Sequence, residues 1–188
     1  MLDRDIIEPS TSTFSSPVIF VKKKDGTARF CVDLRKVNKL VENYDHPLPV
    51  VQQLLERLGR RMQEMQTILQ ERGVPPEQMR VLISSMDLSR SYWQVELEES
   101  SRPITAFICP MGKFNFKKLP FGLISSASIS QKFLETILTG LDDVFSYIDD
   151  VTAVTVGTIE DHDKAIRKVL DRFREQQLFV KKSKCQFY

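Results

Sequence analysis

Val144-Phe145-Ser146-Tyr147-Ile148-Asp149-Asp150-Val151-Thr152-Ala153-Val154-Thr155-Val156 is the stretch on which the fold turns. Two β-rich, apolar runs flank an adjacent pair of carboxylates. Runs that are apolar at successive positions predict strands buried on both faces. The pair Asp149-Asp150 then falls in a hairpin turn. Asp is common in turns because its side chain bonds nearby backbone, so a solvated turn is one reading. The other is chemical. Two adjacent carboxylates held rigidly between buried strands repel each other unless positive charge lies beside them. A divalent cation supplies that charge, and oxygen-only ligands point to Mg²⁺ or Mn²⁺. A third acid, Asp87, ends a predicted strand over 83–87. Three carboxylates at two strand ends can converge on two metals about 3.5–4 Å apart, the arrangement used for in-line phosphoryl transfer. Spacing alone leaves both readings open.

Outward from this stretch, the chain alternates helical and strand patterns. Val18 to Leu34 predicts a β-hairpin whose tip, Lys22-Lys23-Lys24-Asp25-Gly26, carries an Asp-Gly turn signal. Helical spacing runs from Val50 through Leu58 and on to Gly73, a natural C-cap, before Pro75-Pro76. Residues 92–97, 104–109 and 114–117 read as strands, 125–138 and 159–176 as helices, and 178–180 and 185–188 as strand pieces. His162, in Glu160-Asp161-His162-Asp163, reads as part of a helix cap, where acids suit the helix dipole. Lys113, Lys117 and Lys118 are open to two readings, contacts to nucleic-acid phosphates or a solvated strand edge.

The 188 residues suit one domain or two small subdomains. At 41% hydrophobic and 28% charged, the chain is neither a disordered tail nor a collagen nor a pure coiled coil. A net charge of +2 neither requires nor excludes nucleic acid. No apolar run reaches the roughly 18 residues needed to cross a bilayer, and the charged N-terminus lacks a signal-peptide apolar region. The three cysteines, Cys31, Cys109 and Cys185, are widely spaced without a C-x-x-C pair, which predicts a reduced intracellular protein with buried thiols. The expected location is intracellular, cytoplasmic or nuclear, with no membrane partner.

A family resemblance joins these pieces. Ser16 to Gly26, Arg29 to Asn38, Pro47-Leu48-Pro49, Met86-Asp87-Leu88, Thr105-Ala106-Phe107, Leu119 to Leu123, Tyr147-Ile148-Asp149-Asp150 (a YxDD motif) and Lys184-Cys185-Gln186-Phe187 follow one another across nearly the whole chain. In that order they resemble the reverse transcriptase fingers and palm of LTR retrotransposons, closest to the gypsy type. The resemblance implies an α+β fold: a fingers region and an antiparallel palm sheet backed by helices, with the thumb absent. Residues 1–86 are then mainly fingers, with an unusual insertion at about 60–82, and 87–188 mainly palm with fingers elements interleaved. It implies an RNA-directed DNA polymerase, a nucleotidyltransferase of a Pol polyprotein using two Mg²⁺ ions, with Mn²⁺ able to substitute. The implied metal set is Asp87, Leu88, Asp149 and Asp150. Lys23 and Arg29 match residues contacting the incoming triphosphate, a point charge and a bidentate fork. Tyr92 matches a ring that excludes a 2′-hydroxyl, and Phe121 a residue lining the nucleotide pocket. Lys184 matches a lysine that protonates pyrophosphate. Implied partners are a primed RNA or DNA template, deoxynucleoside triphosphates, and the thumb and RNase H domains of a longer chain.

The sequence also departs from the family pattern. Residues 60–82 add a Met- and Gln-rich helix and a Pro-Pro turn before Asp87, either displacing it or forming a tolerated surface excursion. Ser91 stands where the family has Gly, and Ser130 where it has Phe. These departures carry the alternative reading, a catalytically inactive or co-opted relic that binds nucleic acid or protein.

Overall fold

The computed structural model describes residues 1–22, 26 and 28–188, the side chain of Arg29 excepted. Its strands are β1 (Ile7–Pro9), β2 (Ser16–Lys22), β3 (Ala28–Val32), β4 (Arg80–Asp87), β5 (Phe107–Cys109), β6 (Gly112–Phe116), β7 (Val144–Tyr147) and β8 (Asp150–Gly157). Its α-helices are α1 (Val51–Glu71), α2 (Ser126–Ile137) and α3 (Ile159–Glu175). The chain divides into two compact units, one of residues 1–45 and 90–130, the other of residues 46–89 and 131–188.

The first unit is built on a five-stranded sheet in the order β1-β6-β5-β2-β3. Its core gathers Ile6, Ile7, Val32, Leu34, Phe107, Phe114 and Phe116. β2 and β3 pair antiparallel, as the two arms of the expected hairpin, with Val18 opposite Val32 and Lys22 opposite Ala28, while Lys23, Lys24 and Asp25 of the expected tip lie outside the described residues. Residues 92–97 depart from expectation. Ser91–Gln94 is a 3₁₀ turn, and only an isolated bridge between Glu96 and Lys118 survives of the predicted strand. Arg90, at φ 55°, turns the chain just before it. Residues 99–105 are likewise a 3₁₀ segment, so the strand expected over 104–109 shrinks to β5. Pro103 within that segment has no amide hydrogen to give a ladder.

The second unit is a three-stranded antiparallel sheet in the order β4-β8-β7. As the continuous apolar run requires, the central strand β8 is buried along nearly its whole length, with α1 and α3 packed on it. Met86, Leu134, Val151, Val169 and Phe173 fill the core. Thr158 caps α3, accepting a hydrogen bond from the Asp161 amide, and Glu160 and Asp161 favour its positive N-terminal end. The predicted 60–82 excursion is one long helix, α1, continuous from Val51, then a single turn at Pro76–Gln78. Arg61 ties it to Asp143 at 2.7 Å, and the Arg57 guanidinium lies 5.2 Å from the centre of the Phe145 ring. After it, β4 pairs residue for residue with β8 from Arg80–Gly157 to Asp87–Asp150. Residues 178–180 and 185–188 add isolated bridges, Leu88 to Val180 and Ser85 to Gln186, rather than strands.

Two sequence expectations change in environment. His162 does lie in the first turn of α3, as the cap reading expects, and it is fully buried there. The three cysteines are free but only half-buried. Among the described residues, no helix is long and apolar enough to cross a membrane.

Candidate nucleotidyl-transfer site

The register of the second unit decides where the acids lie. Asp87 ends β4, and Asp150 begins β8 directly opposite it. Asp149 precedes Asp150 in the β7–β8 turn, and its carbonyl accepts the Leu88 amide hydrogen at 3.0 Å. One end of one sheet therefore carries Asp87, Asp149 and Asp150. The Leu88 side chain points the other way in effect, buried in the core at 3% exposure, so any ligation by Leu88 falls to its backbone.

The electrostatics of this sheet end are strained. Burial, then the neighbouring Asp149 and Asp87, push the Asp150 carboxyl above its ordinary value, and Lys184 draws it partly back. Lys184 donates from Nζ to Asp87 Oδ2 at 2.6 Å. That hydrogen bond raises the Lys184 pKa, since the ammonium is the form that Asp87 holds. An all-oxygen donor set short of positive charge fits a hard divalent cation. The side chains do not yet close on one: among the described residues, no three His, Cys, Asp or Glu groups are spaced to hold a metal ion.

The turn itself has an unusual backbone. Ile148 has φ 57°, left-handed space that a β-branched residue seldom enters. Gln131, fully buried on α2, accepts the Ile148 amide hydrogen at 2.7 Å. Its own Nε2 donates to Glu135 Oε1 at 2.9 Å and lies 3.2 Å from Ser146 Oγ. Glu135 in turn meets His46 Nε2 at 2.7 Å. The sequence reading missed these groups. The available signal was Gln131 itself, a polar residue in helical step with the apolar Leu134 and Leu138.

In the first unit, Tyr92 and Phe121 stack with ring centres 4.9 Å apart, and Trp93 meets Phe121 edge-on at 5.8 Å. Phe121 is half exposed. Its turn is braced by Asn38, which donates to the Gly122 carbonyl at 2.8 Å and accepts from the Ile124 amide at 3.0 Å. Gly122 sits at φ 97°, which glycine reaches without steric cost. Lys117 is paired with Asp5 and Lys118 with Glu96, while Lys113 donates to the Ser12 carbonyl. These lysines are thus engaged locally. Lys23 and the side chain of Arg29 lie outside the described residues.

Comparison with known proteins follows the same lines. The family profile described as "Reverse transcriptase (RNA-dependent DNA polymerase)" matches residues 21–188. The Transposon Tf2-3 polyprotein of Schizosaccharomyces pombe is 29% identical over 189 residues, covering 100% of this chain and 13% of its own length. The Enzymatic polyprotein of Figwort mosaic virus is 31% identical over 180 residues, covering 92% of this chain and 24% of its own. The chain thus spans a small part of these relatives. The foamy viral protease-reverse transcriptase solved with an RNA/DNA hybrid superposes with a TM-score of 0.78 at 23% identity, over 99% of this chain and 22% of that one, so the two share a fold. The order of motifs, the sheet carrying the acids, and a family profile spanning nearly the whole sequence lead to one conclusion: this chain belongs to the reverse transcriptase family, as a domain of the retroelement Pol polyprotein type.

Proposed function

We propose that the chain contributes the nucleotidyl-transfer centre of an RNA-directed DNA polymerase, extending a primer 3′-hydroxyl with deoxynucleotides on an RNA or DNA template. The observation that carries this is the Asp87–Asp150 pairing, which brings Asp149 to the same sheet end. In this reading Asp87, Asp149 and Asp150, with the Leu88 backbone, hold Mg²⁺. When bound, the metal ions lower the pKa of the attacking hydroxyl and neutralise charge on the α-phosphate and departing pyrophosphate. The chain's residues do the rest. The rigid β4–β8 ladder holds Asp87 and Asp150 in register, and the hydrogen-bonded Leu88–Asp149 link holds the turn. Lys184 holds Asp87 through the hydrogen bond from its Nζ to Oδ2. It is then placed to give its proton to the leaving pyrophosphate. Tyr92, held against Phe121, offers a flat face to a sugar, and steric exclusion of a 2′-hydroxyl is its part. Lys23 and Arg29 take the triphosphate.

The test is metal binding. Calorimetric titration of the chain with Mn²⁺ is expected to show binding that Asp149→Asn weakens by at least about tenfold, the loss of one charged ligand. Equal affinities in the two proteins overturn the reading. A second reading, a non-catalytic nucleic-acid-binding relic, is favoured by one observation: Lys184 already neutralises Asp87, and the acids are not gathered as a metal cage.

A further inference from the structure

The Asp149 turn rests on a chain of polar side chains that the sequence motif does not contain. Ile148 sits in left-handed backbone at φ 57°. For a β-branched residue that conformation is strained, and it persists only where its surroundings over-determine it. The determinant here is a hydrogen bond from the Ile148 amide to Gln131 Oε1, at 2.7 Å inside a fully buried site. An amide side chain can rotate to exchange its oxygen and nitrogen, and only the oxygen can accept that hydrogen. The orientation of Gln131 therefore matters, and its Nε2 fixes it. That nitrogen faces Ser146 Oγ at 3.2 Å and Glu135 Oε1 at 2.9 Å. Glu135 is an acceptor only, so it admits the nitrogen and refuses the oxygen. Glu135 is itself held, with its second oxygen 2.7 Å from His46 Nε2. His46 opens the His46-Pro47-Leu48-Pro49 segment that leads into α1.

We propose that Glu135 and His46 are positioning residues for the Asp149–Asp150 turn, acting through Gln131. Glu135, an acceptor only and held by His46, favours with the Ser146 carbonyl, 3.4 Å from Nε2, the one orientation of the Gln131 amide that can hold Ile148 in its left-handed state. They touch none of the three acids. The consequence for chemistry rests on the function proposed above, whereas the coupling itself does not.

The experiment keeps the two apart. Amide hydrogen exchange is measured on the full chain and on Glu135→Ala, Glu135→Gln and His46→Gln, each at a side chain that is not fully buried. Losing the Glu135 acceptor is expected to speed exchange at Ile148 and Asp149 by about fivefold, the weight of roughly one net hydrogen bond. Core amides such as Val169 in α3 are expected to hold their protection. Glu135→Gln keeps an acceptor at the same reach but adds a donor that admits the other amide orientation, so it is expected to restore only part of the protection lost in Glu135→Ala. The His46/Glu135 double variant is expected to be no worse than Glu135→Ala alone, since the two act in series. Exchange that rises equally throughout the molecule shows a merely structural role and overturns the proposal, as does unchanged exchange at Ile148. Mn²⁺ titration of the same variants reads the other question. Faster exchange at Ile148 with Mn²⁺ binding absent from every protein, the unsubstituted chain included, leaves the coupling standing and removes the polymerase reading.

Discussion

Lys184 stands where a cation is wanted. Its ammonium is 2.6 Å from Asp87 Oδ2, with the lysine side chain 55% exposed and the aspartate 15%. A metal ion approaching Asp87 has to displace it. Because the lysine is largely in water, the pair is weak, and salt screens it. The displacement therefore costs little, yet it is measurable. Lys184→Met is expected to raise Mn²⁺ affinity by up to about fivefold at low ionic strength, with the gain shrinking as salt is added. Weaker binding in Lys184→Met would mean that the lysine helps to gather the acids rather than competing for them. The same residue illustrates why a motif match conveys only part of a role. Its type was legible in the sequence, but its contact spans 97 positions and depends on the chain returning beside β4.

At the scale of elements, α3 is the clearest case of pattern becoming structure, and His162 the clearest case of pattern misleading. The helix begins and ends within a residue of where its apolar steps place it. Its fourth residue reads as one more polar group among acids, yet it faces the sheet. His162 Nε2 lies 2.8 Å from Ser84 Oγ on β4, and Nδ1 lies 2.8 Å from Thr155 Oγ1 on β8. Tyr188 packs edge-on against the ring, donating its own hydroxyl to Asp163. No local rule announces two hydroxyls arriving from different strands, one of them 78 positions away. Residues 92–97 fail for the complementary reason. Their aromatic and β-branched content suits a strand, but Arg90 turns the chain left-handed and sends 91–94 into a 3₁₀ turn. Strand propensity without a ladder partner yields to such context.

The buried imidazole has a thermodynamic signature. Burial lowers the His162 pKa from its ordinary 6.5, and nearby Asp163 offsets this in part. In the unfolded chain the ring takes up a proton near pH 6.5, while in the folded chain it stays neutral to lower pH. Folding stability from this group is therefore complete above about pH 6.5 and is lost as pH falls through that value, by no more than about 1.4 kcal/mol per pH unit. Urea unfolding at pH 7.5 and pH 5.5 is expected to show the unsubstituted chain losing more stability than His162→Gln, by at most about 1.4 kcal/mol, with the variant already weaker at both. Carboxylates elsewhere titrate alike in the two proteins, so the difference isolates the ring. Identical pH dependence in both would place the protonated ring comfortably inside the fold.

For the molecule as a whole, charge is the informative quantity. A net charge of +2 cannot by itself supply strong attraction to nucleic acid. Lys113, Lys117 and Lys118 are occupied by a carbonyl and two carboxylates. In the polymerase reading, the nucleotide and the metal bound with it add to the grip on a template–primer. The two functional readings diverge at this point. A polymerase centre predicts that RNA–DNA hybrid binds this chain weakly in chelator. It predicts at least about tenfold tighter binding when Mg²⁺ and the nucleotide complementary to the template are both present, because their contacts add to those of the hybrid. A noncomplementary nucleotide is expected to give little of that gain. A relic that retains only nucleic-acid binding predicts an affinity that falls with salt and ignores metal and nucleotide alike. Fluorescence anisotropy on a labelled hybrid, with and without chelator and across the four nucleotides, separates them. Nucleotide-matched tightening assigns the acids at the end of the β4–β8 ladder to catalysis, and its absence alongside salt-dependent binding assigns the chain to recognition alone.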